Sequence, residues 1–141
     1  MSQHQIIGAA EIVDFPEFNW LKVKARIDTG ARTSAMHCTK INLQKAEKGE
    51  FLHFWLQPDD SGQARFFTTS DFEEKEVKSS FGTTERRFTI KALIVIGQKR
   101  IRGKFTLTNR EKMSYPILIG RNFLRNRFLV DVSRNNVKMT Q

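Results

Sequence analysis

Apolar and basic side chains alternate along residues 20–27. Because successive side chains of a β-strand point to opposite faces, this alternation predicts a strand with one buried face. The residues expected on that face are Leu21, Val23, Ala25 and Ile27. Residues 6–13 predict an earlier strand, which a turn at Asp14, Phe15 and Pro16 joins to the first.

Two pairs of apolar segments predict β-hairpins. Residues 51–56 and 64–69 flank the turn-forming sequence Pro-Asp-Asp-Ser-Gly. Residues 88–96 and 100–108 are separated by a short turn that contains a glycine. Both patterns are typical of antiparallel strands that pair with their neighbour in the chain.

The carboxyl-terminal part holds the only segment that predicts a helix. Residues 121–127 follow a glycine and predict a short helix, and residues 128–132 return to a strand pattern. A length of 141 residues, without repeats or low-complexity linkers, predicts a single domain over residues 1–141. The expected fold class is all-β, with a closed or sandwiched sheet.

Three features predict a cytoplasmic protein without a membrane span. The longest apolar stretch, residues 92–96, is far shorter than the roughly 20 residues that cross a bilayer. Residues 1–8 carry no positively charged segment of the kind that opens a signal peptide. Cys38 is the only cysteine, so no internal disulfide can form, which agrees with a reducing compartment.

Charge is distributed unevenly along the chain. The net charge is +9, but residues 1–85 carry 10 basic and 13 acidic side chains, whereas residues 86–141 carry 14 basic and 2 acidic ones. The second part therefore predicts a strongly positive surface. Nucleic acid, an anionic membrane or an acidic polypeptide would each satisfy such a surface.

The candidate chemistry begins at Asp28-Thr29-Gly30-Ala31, directly after the alternating strand. Alone, this sequence is a common turn in which the aspartate bonds its own backbone. A second element, residues 115–124, is an apolar strand followed by a glycine and the start of the short helix. Alone, it is an ordinary buried strand whose exit needs a glycine.

Together, the two elements resemble the retropepsins, the small aspartic proteases of retroviral type. That family has one Asp-Thr-Gly-Ala per chain and a late apolar run followed by glycine and Arg-Asn or Arg-Asp, to which residues 117–124 are similar. Residues 25–34, 107–110 and 113–116 resemble more closely a bacterial and archaeal branch that carries the name ATP-dependent zinc protease. The resemblance covers most of the chain and implies a closed β-barrel with one short C-terminal helix.

The resemblance implies an aspartic peptidase that works as a homodimer, because one chain supplies only one Asp-Thr-Gly. Two close carboxylates share one proton, so one acts as base toward a water while the other acts as acid toward the scissile carbonyl. Asp28 would meet its copy across a two-fold axis. Thr29 would tie the two loops together by hydrogen bonds, Gly30 would permit close backbone approach, and residues 117–119 would form an apolar shelf behind the loop.

The branch name includes zinc and ATP, but the sequence holds no motif for either, and no cofactor is assigned. A helical zinc protease site needs His-Glu-x-x-His, which is absent, and the three histidines are His4, His37 and His53. His37 adjoins Cys38, and neighbours on a strand point to opposite faces. No Gly-x-x-x-x-Gly-Lys-Ser/Thr loop and no Gly-x-Gly-x-x-Gly is present to cradle phosphates.

A hairpin flap that closes over the substrate is implied between residues 70 and 87, with its tip near residues 79–82. Retroviral flaps are rich in glycine, whereas this tip has Gly82 alone. Retroviral enzymes also place an acid after Asp-Thr-Gly-Ala, and it pairs with the arginine that follows the late glycine. Arg32 and Arg121 occupy these two positions here, so that ion pair cannot form and the subunit contact or substrate pocket must differ.

Arginines fall in several segments that would surround the cleft, and guanidinium groups hold carboxylates in a bidentate geometry. An acidic peptide is therefore the expected substrate. The branch is associated with ATP-grasp ligases that add glutamates to protein tails, a ribosomal protein among them, which implies glutamate-rich or polyglutamyl targets. The residues expected to bind substrate are Ala31, Arg32, Ser80, Phe81, Gly82, Arg86, Arg87, Arg110 and Arg121.

Two other classes of function stay open from the sequence. The chain can be a retropepsin-shaped module that binds or assembles without cleaving, since fold similarity does not imply activity. It can also be a basic β-barrel that binds nucleic acid, with bases stacked on aromatic side chains of the second half. The aromatics that would serve this purpose are Phe105, Tyr115, Phe123 and Phe128.

Overall fold

The computed structural model describes residues 4–56, 64–109 and 114–137, and regular structure there is almost entirely β-strand. These residues form eleven strands and one short α-helix. Their bounds are β1 Gln5–Gly8, β2 Ala10–Phe15, β3 Trp20–Ile27, β4 Ser34–Ala46, β5 Gly49–Leu56, β6 Arg65–Thr69, β7 Phe72–Lys78, β8 Thr84–Ile96, β9 Lys99–Thr108, β10 Ile117–Ile119, α1 Arg121–Leu124 and β11 Phe128–Asp131. The all-β prediction is confirmed, and the short helix begins at the predicted residue but ends after one turn.

Six strands close into a barrel. Neighbouring strands pair in the order β10, β3, β2, β8, β9 and β4, and β4 then pairs with β10 to complete the ring. The short strand β10 closes it, because it lies parallel to β3 on one side and antiparallel to β4 on the other. Closure removes the free edges that an open sheet would expose. The prediction of a closed barrel is confirmed.

The barrel interior is filled by large aromatic side chains. Phe15, Trp20 and Phe105 are fully buried, and the ring of Phe15 lies 5.3 Å from that of Trp20 and 5.5 Å from that of Phe105. Phe123 of α1 continues the cluster, with its ring 4.8 Å from Phe105. The helix is thereby packed onto the barrel against β9, β10 and β4.

Both predicted hairpins are confirmed. β5 pairs with β6, and β8 pairs with β9 around a turn in which Gly97 has a φ of +60°. The predicted turn sequence between β5 and β6 lies outside the described residues. The long strands β4 and β8 extend beyond the barrel. There β4 pairs with β5 of the β5–β6 hairpin, and β8 pairs with β7.

The predicted strand at residues 6–13 is wrong in one respect, since it is two strands. β1 leaves the barrel and pairs in parallel with β11, whereas β2 pairs with β3. The break falls where the N–H of Ala9 donates to the carbonyl of Arg134 at 2.7 Å and that of Gly8 donates to the carboxylate of Glu11 at 2.8 Å. These contacts bend the chain between the two strands.

Leu21 is the one exception on the predicted buried face of β3. It is 44% exposed, and Trp20 takes the buried position instead. The cause is an irregularity at Lys22, which has a φ of +55° and donates its N–H to the carboxylate of Asp14 at 2.8 Å. The pairing register between β2 and β3 shifts at this point. A shift of one residue moves the following side chains to the opposite face of the strand, which is why Trp20 is buried and Leu21 is not.

Candidate active site

The loop after β3 holds Asp28 by backbone contacts. The N–H of Asp28 donates to the carbonyl of Ile119 at 2.8 Å, which continues the pairing of β3 with β10. Its carboxylate Oδ1 accepts the N–H of Gly30 at 3.0 Å, and its carbonyl accepts the N–H of Ala31 at 3.2 Å. The side chain is half-buried, and Oδ2 accepts no hydrogen bond from any described residue. The carboxylate therefore has one tethered oxygen and one available for chemistry.

The start of α1 clamps the second half of this loop. The N–H of Arg121 donates to the carbonyl of Ala31 at 2.8 Å, and that of Asn122 donates to the carbonyl of Arg32 at 3.2 Å. Gly120 precedes them at a point where a β-carbon would lie 2.8 Å from the Ala31 carbonyl oxygen. The glycine of the second sequence element is therefore needed for close backbone approach and not for a turn.

Ser34, at the start of β4, joins the loop to the helix. Its Oγ accepts the N–H of Gly120 at 2.8 Å and donates to Oδ1 of Asn122 at 2.7 Å, while Nδ2 of Asn122 donates to the carbonyl of Lys104. Ser34 is fully buried. Ser34 and Asn122 both lie in segments that carry the family resemblance, but the sequence assigned a role to neither. The available signal was a small polar residue just after the loop, beside an Arg-Asn pair after the late glycine.

Arg121 contacts the Asp-Thr-Gly loop through its side chain as well. Its Nη1 donates to the carbonyl of Thr29 at 3.1 Å. Arg32 is exposed and pairs with no acid within the described chain. A backbone carbonyl thus takes the place of the acidic side chain that pairs with this arginine in retroviral enzymes. Thr29 itself is exposed, and its hydroxyl has no partner among the described residues.

The predicted flap corresponds to a hairpin of β7 and β8 with an ordered tip. Ser79 closes the tip, because its N–H donates to the carbonyl of Thr83 at 2.8 Å and its carbonyl accepts the N–H of Gly82 at 3.0 Å. Gly82 has a φ of +83°, which favours glycine. Phe81 is 92% exposed at the outermost point, next to exposed Ser80.

The arginines of the flap already have acidic partners. Arg86 forms an ion pair with Glu74 across the hairpin, and Arg87 lies 3.7 Å from Glu85. Both arginines line a depression between β8 and the end of β9. Arg110, expected to bind substrate, lies outside the described residues.

Arg32 and Arg121, in contrast, come together in a groove of about 990 Å³ at the outer side of α1. The groove also contains four cationic residues that were not among the expected substrate-binding residues. The basic residues of the groove are Arg32, Lys99, Arg100, Arg121, Arg125 and Arg127. We call this feature the basic groove. The sequence showed that the second half of the chain is positively charged, but not that these six cations come together in one groove.

The described residues do not fit a zinc site. No three side chains of His, Cys, Asp or Glu gather within that part of the chain. Cys38 and His37 are both buried in the core. Burial raises the pKa of the Cys38 thiol to about 12, which disfavours the thiolate that zinc requires. These two side chains therefore give no support to the zinc in the name of the branch.

The aromatic side chains proposed to stack on bases are mostly in the core. Phe105, Phe123 and Phe128 are buried, and Tyr115 is half-buried. The stacking surface on which the nucleic-acid alternative depends is therefore not formed by these residues. Among the described residues, no helix has the length and apolar character needed to cross a membrane.

Curated relatives of the chain carry the name of a ligase. Proteins named probable alpha-L-glutamate ligase are 35% identical over 132 residues in Shewanella pealeana (strain ATCC 700345 / ANG-SQ1) and 30% identical over 133 residues in Parasynechococcus marenigrum (strain WH8102). These alignments cover 92% and 93% of this chain but only 29% and 28% of the ligases. The chain thus spans less than a third of the length of these curated relatives.

A solved structure and a family model each match nearly the whole chain. A crystal structure of a protein of unknown function from Legionella pneumophila subsp. pneumophila str. Philadelphia 1 superposes with a TM-score of 0.72 at 25% identity, over 96% of this chain and 99% of that one. A family model described as RimB-like, retropepsin-like aspartic endopeptidase RimB, matches residues 6–141. With Asp28 held at the end of a closed barrel, the chain belongs to this family of retropepsin-like aspartic endopeptidases.

Proposed function

We propose that this protein is an aspartic peptidase whose active site forms when two copies bring their Asp28 carboxylates together. The observation that carries the proposal is the state of Asp28: Oδ1 is tethered by the Gly30 N–H, and Oδ2 has no partner among the described residues. The sequence contains a single Asp-Thr-Gly, so the second acid must come from another chain. A non-catalytic module would not need a free carboxylate oxygen in a loop fixed by this many backbone contacts.

The chemistry follows from two acids that share one proton. The ionised carboxylate removes a proton from a water as the water oxygen attacks the scissile carbonyl carbon, and the protonated carboxyl donates to the carbonyl oxygen. The resulting tetrahedral diol collapses when its C–N bond breaks: the leaving nitrogen takes the proton that the first carboxylate had removed from the water, and one diol hydroxyl returns its proton to the other carboxylate as the C=O bond forms. The fixed backbone around Asp28 holds the acid in position without reorganisation during this step.

Two features support the homodimer. The exposed, unpartnered hydroxyl of Thr29 stands beside Asp28 and suits a hydrogen bond to the copy's loop. The two-stranded sheet of β1 and β11 places Ile6 next to Leu129 in register, and these side chains are 45% and 57% exposed. Complete burial of an exposed aliphatic side chain is favourable by about 1.5–3 kcal/mol, and since these two side chains are already half-buried, a second copy would add about half of that for each.

The flap would close over bound peptide. In this proposal Ser80 and Gly82 present backbone groups to the peptide, and Phe81 covers it and excludes water. The tip already has hydrogen bonds that order it, so little conformational freedom is lost on closure. Arg86 and Arg87 would contact substrate only after their ion pairs with Glu74 and Glu85 open.

The substrate we propose is a glutamate-rich or polyglutamyl segment of a cytoplasmic protein. Arg32 is exposed beside the catalytic loop, and Arg121 lies against Thr29, so both positive charges are close to the scissile position. The curated relatives are named as glutamate ligases, and this chain matches a minor part of each. A glutamate ligase of the ATP-grasp class is therefore the enzyme we expect in the same pathway, with hydrolysis opposing ligation.

The decisive experiment measures cleavage of poly-glutamate and of a neutral peptide by the wild type and by the Asp28→Asn variant. We expect cleavage of poly-glutamate by the wild type and none by the variant, because asparagine keeps the oxygen that accepts the Gly30 N–H but cannot act as base or acid. Turnover that survives in the variant would remove the aspartic mechanism. Turnover that a chelator abolishes would indicate a metal instead.

Mixed dimers test whether the dyad is shared. When wild-type chains are mixed with Asp28→Asn chains, dissociated and reassembled, activity should fall as the square of the wild-type fraction. A linear decrease would mean that each chain works alone. The mixed population also serves as its own control for folding, because total dimer concentration is unchanged.

A further inference from the structure

The basic groove concentrates positive charge beside the catalytic loop. Within the part of the chain that the structure describes, six cationic side chains line it and no acidic one does. The ion pairs of Arg86, Arg87, Arg102 and Lys104 lie outside the groove, and the five arginines of the groove pair with no acid among the described residues. Like charges so close together repel one another, and an anionic ligand would relieve that repulsion.

Part of the groove is held in place by contacts that leave the charge exposed to a ligand. The guanidinium of Arg121 donates to the Thr29 carbonyl, and that of Arg127 donates to the carbonyls of Asn122 and Phe123 at 3.4 Å. Carbonyl oxygens orient these groups without neutralising them. Arg100 and Arg125 are exposed and pair with no acid in the part of the chain that the structure describes.

The lining distinguishes between kinds of polyanion. Among the described residues that line the groove, Ile101 is the only apolar side chain and none is aromatic. Sites for single-stranded nucleic acid stack bases on aromatic side chains, and this groove offers none. Guanidinium groups hold carboxylates in a bidentate geometry, so the lining suits the side chains of glutamate and aspartate.

The size of the groove favours a segment over a single residue. Its volume of about 990 Å³ is at the upper end of the range for small-molecule sites, about 300–1,000 Å³. An extended peptide advances about 3.3 Å per residue, so several consecutive acidic side chains can reach different cations. Arg32 and Arg121 mark the end of the groove that adjoins the catalytic loop.

We propose that the basic groove is an exosite that binds several consecutive acidic residues of a polypeptide, next to the bond that is cleaved but apart from it. Binding there does not depend on the chemistry at Asp28. One part of this proposal rests on the proposed function: that the segment bound in the groove belongs to the same polypeptide as the bond cleaved at Asp28. Affinity should therefore rise with the number of acidic residues, and removal of Arg100 and Arg125 should raise KM for long acidic peptides while leaving kcat largely unchanged.

The test measures binding of fluorescent hexaglutamate, diglutamate and hexaglutamine to the Asp28→Asn variant, in which cleavage does not interfere. In that background, Arg100→Glu with Arg125→Glu is compared with Lys24→Glu and Lys91→Glu, which change the net charge equally at exposed positions outside the groove. We expect hexaglutamate to bind best. The groove variant should lose about tenfold or more in affinity, since hydrogen bonds to charged groups are lost, and the control less than about twofold.

Equal loss in the groove and control variants would overturn the proposal, because net charge alone would then explain binding. Unchanged binding in the groove variant, or equal binding of diglutamate and hexaglutamate, would also overturn it. Loss of binding to a random-sequence RNA without loss of hexaglutamate binding would assign the groove to nucleic acid instead. If the double variant does not fold, Arg125→Gln alone gives the same comparison against Lys91→Gln. Since no cleavage is measured, failure here is separate from failure of the peptidase mechanism.

Discussion

Gly120 lies directly against the backbone of Thr33, so that a β-carbon at position 120 would overlap the Thr33 carbonyl oxygen. The close approach lets the backbone of α1 bond the carbonyls of Ala31 and Arg32. The two sequence elements that first indicated a function, the Asp-Thr-Gly loop and the late glycine, are therefore one structural unit. Changes in the second element are expected to act on Asp28 through this contact.

Gly120→Ala should displace the Asp-Thr-Gly loop. Overpacking at such a contact costs about 1–3 kcal/mol of the free energy of unfolding, and the loop cannot relax without losing the bonds to α1. Denaturant unfolding measures the first effect, and kcat per folded molecule the second. Gly103→Ala is the matched control, since its β-carbon would meet the ring of Phe123 at 2.6 Å and not the loop. Equal loss of kcat in both variants would contradict a specific role for the Gly120 contact.

Ser34→Ala should lower the free energy of unfolding by about 1–3 kcal/mol, because the buried Gly120 N–H loses its acceptor. Urea denaturation checks the value. Ser133→Ala is the control: its hydroxyl donates to Asp131 at an exposed site, and we expect a loss below about 0.5 kcal/mol. A Ser34→Ala variant as stable as the control would show that the contact between loop and helix contributes little.

Leu129→Lys should weaken the proposed dimer. Leu129 is 57% exposed on β11, and a charge there would oppose burial against a second copy. Sedimentation should show a rise in the dimer dissociation constant of about tenfold or more, with activity that recovers as protein concentration is raised. Phe66→Lys, at a 50% exposed position of β6, should leave dimerisation unchanged. A wild type that is active as a monomer would overturn both this expectation and the shared dyad.

Glu11→Ala should loosen the two ends of the described chain, near Gly8 and Val137. The buried carboxylate of Glu11 accepts the N–H groups of Gly8 and Val137 at 2.8 and 3.0 Å through the same oxygen. Each buried N–H left without a partner costs about 1–3 kcal/mol. Amide hydrogen exchange should accelerate at Gly8 and Val137, and Glu11→Gln, which keeps an acceptor oxygen, should show a smaller change. Unchanged exchange in Glu11→Ala would mean that other contacts hold these ends.

Stability should fall at high pH because of Cys38. Burial raises the pKa of this thiol from about 9 to about 12, so the folded state holds its proton more tightly than the unfolded state. The contribution is fully present below pH 9 and is lost as the pH rises toward 12, by about 1.4 kcal/mol per pH unit. The difference in unfolding free energy between wild type and Cys38→Ala should shrink over this range. Rapid alkylation of the native thiol at pH 8 would contradict the burial on which this rests.

Local patterns determined much of the fold. The strand before Asp28, the β8–β9 hairpin and the short helix after Gly120 were predicted because alternation and turn-forming residues act over a few positions. The long strand β4 was not predicted. Its first half pairs with β10 and β9 and is mostly buried, whereas its second half is mostly exposed, so no single alternation of apolar and polar residues runs along it. Its pattern changes along its length, as does its environment.

By itself, the sequence determined the all-β class, the position of the Asp-Thr-Gly loop and the presence of a positive second half. Only the tertiary structure decided that Leu21 faces outward, that Arg121 contacts the Thr29 carbonyl, and that the basic groove exists. The physical reason is the range of the interactions. Strand alternation and turns depend on neighbours in the chain, whereas Lys22 is turned by Asp14 and the groove joins segments around Arg32, Arg100 and Arg125, which meet only when the barrel closes.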